Sequence, residues 1–290
     1  MVMGYALFGS QSEVVGGSQQ LRTRQLATAS FTLSTANQDY QDIEIPQLGD
    51  LVGVKLSVTA TASGTLTGAN KLISVLRDVS LRDKTGEPIT QGISGGDLNY
   101  LTYISNNSGK KLTETTISSS SATDTYLLQM SVDKTDLPAK LRIGANPYSS
   151  SATSGATGGT LSVDIEVFYR EEAVATTQRV YKQTTALVSG TNEIGQVLNR
   201  QRIINKLGIG FSESNLTSVL VSSDGSEQLN MKTAAMTTFM EGARADARIS
   251  DKLLVPVTPF FATDRSRLQI LTSGSGNADI YQFLLDSPKN

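Results

Sequence analysis

Ile73-Ser74-Val75-Leu76-Arg77-Asp78-Val79-Ser80-Leu81 reads as a strand, Asp83-Lys84-Thr85-Gly86 as an acidic glycine turn, and Gly96-Asp97-Leu98-Asn99-Tyr100-Leu101-Thr102-Tyr103-Ile104 as a short helix. The same order returns in the second half. There it runs Leu216 to Ser222, then Ser223-Asp224-Gly225, then a helix-like segment from Met231 to Ala245 with Met236, Phe239, Met240 and Ala243 at helical spacing. The two copies share hardly any identities, so the repeat lies in pattern rather than in residues. A β-rich unit with one inserted helix, occurring twice, points to a duplicated sandwich.

Around these runs the period is mostly two. Ser30 to Ser34, Asp42 to Pro46, Val52 to Thr59, Thr125 to Val132, Leu137 to Ile143 and Leu161 to Tyr169 alternate or nearly alternate. With Ile73 to Leu81 they make seven of the about eight strands a jelly roll needs. Arg170 to about Gln183 reads as a junction. Strands resume at Asn192 to Leu198, Ile203 to Phe211, Leu253 to Phe261, Leu268 to Thr272 and Ile280 to Leu285. Residues 1–26 show neither period and read as an N-terminal arm, with Arg22 and Arg24 near its end. The expected division is an arm at 1–26, a first sandwich at 27–172 and a second at 173–290. The fold expected is all-β, two jelly-roll sandwiches side by side, each with a short inserted helix.

Composition narrows the chemistry. The 290 residues contain no Cys, no His and no Trp. That excludes disulfides, thiolate nucleophiles, the histidine triad and most transition-metal sites. What remains is carboxylate, Lys or Tyr chemistry and oxygen ligation of hard cations. The charged fraction is 18% and the net charge −2, so the chain as a whole attracts neither nucleic acid nor a membrane. No apolar run reaches the ~20 residues that span a bilayer. The first eight residues lack a signal peptide's basic start, and synthesis in the cytoplasm is the expectation.

Asp164 and Glu166 sit one period apart on one strand face, the arrangement a glycan hydrolase would need from paired acids. Alternating acids on the open face of an edge strand serve solubility equally well. Asp133, Asp136, Asp224 and Asp251 lie in turns and are candidate Ca²⁺ ligands, but none falls in a known cation loop. No phosphate-binding glycine fingerprint is present. The basic clusters are Arg22/Arg24, Lys110/Lys111 and Arg200/Arg202. Of these, the pair in the arm could reach anionic lipid or packaged nucleic acid.

The strand, turn and helix repeat, with Val79-Ser80-Leu81-Arg82-Asp83 leading through Gly86 to Ser94-Gly95-Gly96-Asp97-Leu98, resembles the double jelly-roll major capsid proteins of tailless icosahedral phages with an internal membrane, corticoviruses and tectiviruses among them. The resemblance implies a structural subunit of the virion shell, not an enzyme and without a cofactor. It implies a homotrimer acting as a pseudo-hexameric capsomer around a membrane or genome. Its partners would be further copies, minor capsid or penton proteins, and the internal lipid membrane through the arm, with no sequence-specific nucleic acid. Tyr100, Tyr103, Phe239, Phe260 and Phe261 would fill the trimer or core places where compact members of that family carry large aromatics. The alternatives are a spike, fibre or adhesin sandwich and, further off, a carboxylate glycan hydrolase.

Overall fold

A computed structural model describes residues 21–33, 39–64, 70–105, 116–117, 122–146, 156–171, 176–194, 202–243 and 251–286. The chain divides into two compact units, one ending at Thr177 and the other running from Gln178.

The first unit contains β1 (Leu21–Gln25), β2 (Ala29–Leu33), β3 (Tyr40–Ile45), β4 (Asp50–Gly64), β5 (Asn70–Lys71), β6 (Leu76–Arg82), β7 (Thr90–Gln91), α1 (Gly95–Ser105), β8 (Thr116–Ile117), β9 (Ala122–Val132), β10 (Ala139–Ala145) and β11 (Ala156–Arg170). The larger sheet has the order β1-β11-β4-β9, with β2 also on β11, and the smaller has β3-β10-β6. All these pairs are antiparallel. Alternation decides what lies between the sheets. Val54, Leu56, Val58 and Ala60 of β4, Leu161, Val163, Ile165 and Val167 of β11, and Tyr126, Leu128, Met130 and Val132 of β9 are buried. Ile43, Ile45, Val79, Leu81, Leu141 and Ile143 are buried in the smaller sheet.

The second unit contains β12 (Gln178–Leu187), β13 (Gly190–Glu193), β14 (Ile203–Gly210), β15 (Leu216–Ser223), β16 (Ser226–Lys232), α2 (Thr233–Ala243), β17 (Lys252–Val255), β18 (Phe260–Phe261), β19 (Arg267–Thr272) and β20 (Gly276–Leu285). One sheet runs β12-β20-β14-β17, with β18 also on β14, and the other runs β13-β19-β15-β16. Seven strands of the second unit repeat the winding of seven in the first. An early strand (β2, β12) pairs with the last (β11, β20), which pairs with a third (β4, β14), which pairs with a strand beyond the helix (β9, β17). Three more strands correspond in order, as β3-β10-β6 and β13-β19-β15.

The helices occupy the same step in both units, after an acidic hairpin turn. In the first turn one carboxylate oxygen of Asp83 accepts from Thr85 N (2.9 Å), Thr85 Oγ1 (2.6 Å) and Glu87 N (3.0 Å). In the second, Asp224 and Gly225 both have positive φ, 50° and 80°. That is the primed two-residue turn whose twist matches the strands it joins. The start of α1 is closed by one carboxylate. Asp97, at the third helical position, accepts from both the amide (2.8 Å) and hydroxyl (2.7 Å) of Ser94. Leu98, Tyr100 and Leu101 are the buried face of α1, and Met236 anchors α2.

Several sequence expectations are corrected. Gln178 to Gln183, read as a junction, belongs to β12, an integral strand paired with β20 along ten residues. Its apolar residues are few because Lys182 and Thr184 line one face beside Asp279, while Gln183, on the opposite face, is exposed as well. Strand β11 is an interior strand, flanked by β4 and by β1 and β2, not the edge strand that its alternating acids suggested. Met231 and Lys232 finish β16 rather than starting the helix, and Leu72 to Val75 form a 3₁₀ turn before β6. The run Leu253 to Phe261 is broken between β17 and β18, where Pro256 and Pro259 withhold backbone donors. Leu21 to Gln25, the end of the segment read as an arm, pair with Glu166 to Arg170.

Candidate functional site

The exposed sheet edges and outer faces are the candidate site. Strand β1 ends its sheet, and all five of its residues are exposed. Arg22 is ion-paired to Glu171 at 2.8 Å, each side chain half exposed. Arg24, with Gln25, Leu26 and Ala27, forms one wall of an open groove of about 440 Å³ whose other wall is Asp42 to Glu44 and Pro46. The other free edge strand at this side, β3, is closed further along. The Gln41 amide accepts from Ser30 N (3.2 Å) and donates to Ser30 O (2.5 Å), substituting for a neighbouring strand.

The outer face of β3-β10-β6 is densely charged. Register aligns Glu44 with Lys140 and Arg82, Asp42 with Arg142 and Ser80, and Tyr40 with Gly144 and Asp78. Arg142 holds Asp42 in a two-pronged pair at 2.7 and 2.9 Å. That hydrogen bond keeps the Asp42 carboxyl below the ordinary carboxylate range. Tyr40 lies over the space at Gly144, where a Cβ would come within 2.8 Å of its ring. Arg77 and Arg142 stand at 5.1 and 5.7 Å from the ring centroid. Asp78 is displaced the other way, its pKa raised by burial against the partial compensation of Ser80 and the arginines.

The outer face of the larger sheet is hydroxyl-rich. Thr59 bonds Thr123 at 2.9 Å, Thr61 bonds Thr160 at 2.7 Å, and Thr28 donates to Asp164 at 2.6 Å. Glu166 is paired with Lys55 at 2.9 Å, and that bond lowers its pKa. A general acid for glycoside cleavage needs the opposite displacement. Asp164 and Glu166 are thus committed to cross-strand bonding. The turn aspartates are likewise engaged. Asp133 caps a 3₁₀ turn through Thr135 N, buried Asp136 accepts from Thr177 Oγ1, Asp224 accepts from Thr263 Oγ1, and Asp251 accepts from Glu213 N. Among the described residues no three acidic side chains gather as a metal site.

In the second unit Arg179, 3% exposed, donates through Nε to both oxygens of Asp286 (3.0 and 3.1 Å), and Arg202 adds a contact of 2.8 Å. The sequence presents Arg202 only as half of a basic pair and gives no sign of Arg179 or Asp286. Of the aromatics singled out, Tyr100 is buried at 1% and Phe260 at 7%, while Phe261 is 48% exposed. Phe260 and Phe261 alternate on β18, so they face opposite ways. The side chains of Tyr103 and Phe239, like Lys110, Lys111 and Arg200, lie outside the described residues. The charged face around Tyr40 and Arg142 has no signal in the sequence, because it exists only once β3, β10 and β6 are paired.

Two sandwiches wound alike, each with a helix at the same step, decide the architecture. The chain is a double jelly roll. This double jelly roll is similar to an atomic structure of Sulfolobus turreted icosahedral virus (TM-score 0.72, 13% identity, covering 93% of this chain and 91% of that one). It is similar to the major capsid protein P2 from bacteriophage PM2 (TM-score 0.62, 14% identity, covering 93% and 100%). It is also similar to the Faustovirus major capsid protein (TM-score 0.53, 7% identity, covering 98% and 93%). No family model matches the sequence, and no curated protein matches it. The superpositions show a shared fold, and at these identities the likeness is one of fold alone.

Proposed function

We propose that this chain is a major capsid protein, a structural subunit whose copies build an icosahedral virion shell. The observation that carries the reading is the double jelly roll along nearly the whole chain, shared with structures described as major capsid proteins. Surface chemistry supports it. The acids that could have served catalysis are tied into sheet faces, and the exposed area is rich in Thr and Ser, short side chains that allow close lateral packing.

In this proposal three copies associate as a homotrimer, so that six sandwiches form a pseudo-hexameric capsomer. Closed association would cover free edges such as β1 and β3. The two sandwiches form the capsomer wall, and Arg22 and Arg24, on the exposed edge strand β1, are turned toward the enclosed membrane or genome. Two cations contribute about 1 kcal/mol each at an anionic surface, so the effect depends on many arrayed copies. Tyr100 and Phe260 serve the core and Phe261 an interface. Further copies and minor or penton proteins are the partners, and the virion is the place of action.

Light scattering coupled to size exclusion tests the capsomer, with electron microscopy of concentrated fractions testing the shell. A species near three times 30.9 kDa that proceeds to closed shells is the expected result. A strict monomer at all concentrations would overturn the proposal.

A further inference from the structure

We infer that the outer face of β3-β10-β6 is a self-complementary contact through which two copies of this chain meet about a two-fold axis. The inference rests on the capsid reading and adds to it the surface that joins copies.

The geometry follows from register. The acids Asp42 and Glu44 form a column on β3, and the bases Arg142 and Lys140 form the column beside it on β10. Each acid stands directly opposite a base, Glu44 across from Lys140 and Asp42 across from Arg142. Neighbouring strands lie about 4.8 Å apart. A two-fold axis parallel to the strands, midway between these columns and in the plane of contact, carries each column onto its neighbour without changing height along the strand. Glu44 of a second copy then faces Lys140, and Asp42 faces Arg142, with the reciprocal pairs formed by the same operation. Such a contact is isologous, the same patch serving both partners. Arg82, aligned with Lys140, extends the positive side, and Tyr40, 42% exposed and flanked by Arg77 and Arg142, supplies the aromatic and guanidinium groups that anchor interfaces.

The fold itself does not require these charges. The equivalent face of the second unit aligns Thr191 with Leu271 and Ser218, and Glu193 with Gln269 and Leu220, and carries the ion pair Glu193–Arg267. The same sheet position in the same winding is therefore built with a largely neutral surface. Charge columns on one copy of a duplicated face mark a recognition surface, since complementary potentials set register and partner choice.

The test uses the full chain in sedimentation velocity, with two single variants and their mixture. In Glu44→Lys both columns become basic at that height, and in Lys140→Glu both become acidic, so each variant alone opposes itself. The expected result is association weakened on the order of tenfold for each variant. Mixing the two should restore near wild-type association. In the mixed pair the introduced lysine of one copy meets the introduced glutamate of the other, and the unaltered Lys140 of the first meets the unaltered Glu44 of the second. Both positions are exposed, and far-UV circular dichroism checks that each variant folds. Independently of any variant, wild-type association should weaken as salt rises from about 0.05 to about 0.5 M, where screening shortens to a few ångström. Variants that associate as wild type does, a mixture no better than its components, or salt independence would overturn this contact. Shells forming normally from Glu44→Lys would overturn it while leaving the capsid reading standing. A wild-type chain that never self-associates would overturn both.

Discussion

Replacing Asp83 with Ala should destabilise the first unit by about 2–3 kcal/mol. One carboxylate oxygen there accepts three hydrogen bonds, two from Thr85 and one from Glu87, and the residue is 5% exposed. Bonds to a charged acceptor contribute about 1.5–3 kcal/mol each when both partners are lost from water. Thr85 and Glu87 are exposed and regain water in the variant, which brings each bond nearer to about 1 kcal/mol. Asp83→Asn keeps a carbonyl oxygen in place and should lose about half as much. Urea unfolding monitored by far-UV circular dichroism and tyrosine emission measures both, and the nine tyrosines are unobscured by tryptophan. The midpoint should fall with the slope unchanged, since the surface exposed on unfolding stays the same. A loss under about 0.5 kcal/mol for Ala, or an Asn variant as damaged as the Ala variant, would refute the idea that this turn depends on the carboxylate.

Other substitutions separate core, charge and interface. Asp286→Ala takes from nearly buried Arg179 its two-pronged carboxylate and should cost about 3 kcal/mol by thermal or urea unfolding; no change would mean that Arg179 does not depend on that carboxylate. Burial raises the pKa of Asp78, so the folded chain binds that proton more tightly and loses stability as pH rises through the folded value. Asp78→Asn should therefore be more stable than wild type at neutral pH and equal to it near pH ~3, below the ordinary carboxylate pKa of about 3.9. Asp42 and Glu166 run the other way, adding stability that is present above the ordinary carboxylate range and lost as pH falls through their lowered values. Tyr100→Ala should cost about 3–5 kcal/mol in any oligomeric state. Phe261→Ser should leave the melting temperature nearly unchanged and weaken self-association; the converse pattern would place Phe261 in the core.

Sequence by itself determined the β class, the duplicated order of strand, turn and helix, and the exclusion of histidine and cysteine chemistry. Those features are local. Period-two burial shows in β4 and β11 because one face of each is apolar, and Asp83 to Gly86 and Asp224-Gly225 are turns by their own backbone preferences. Tertiary structure alone decided that β12 is a paired strand, that β11 lies inside its sheet with Asp164 and Glu166 bonded to Thr28 and Lys55, and that Phe260 and Phe261 part company. It also decided the charged face, since Asp42 and Arg142 are 100 residues apart and meet only through the register of β3 on β10. Strand neighbours and register are set by packing between segments distant in the chain, which no local period encodes.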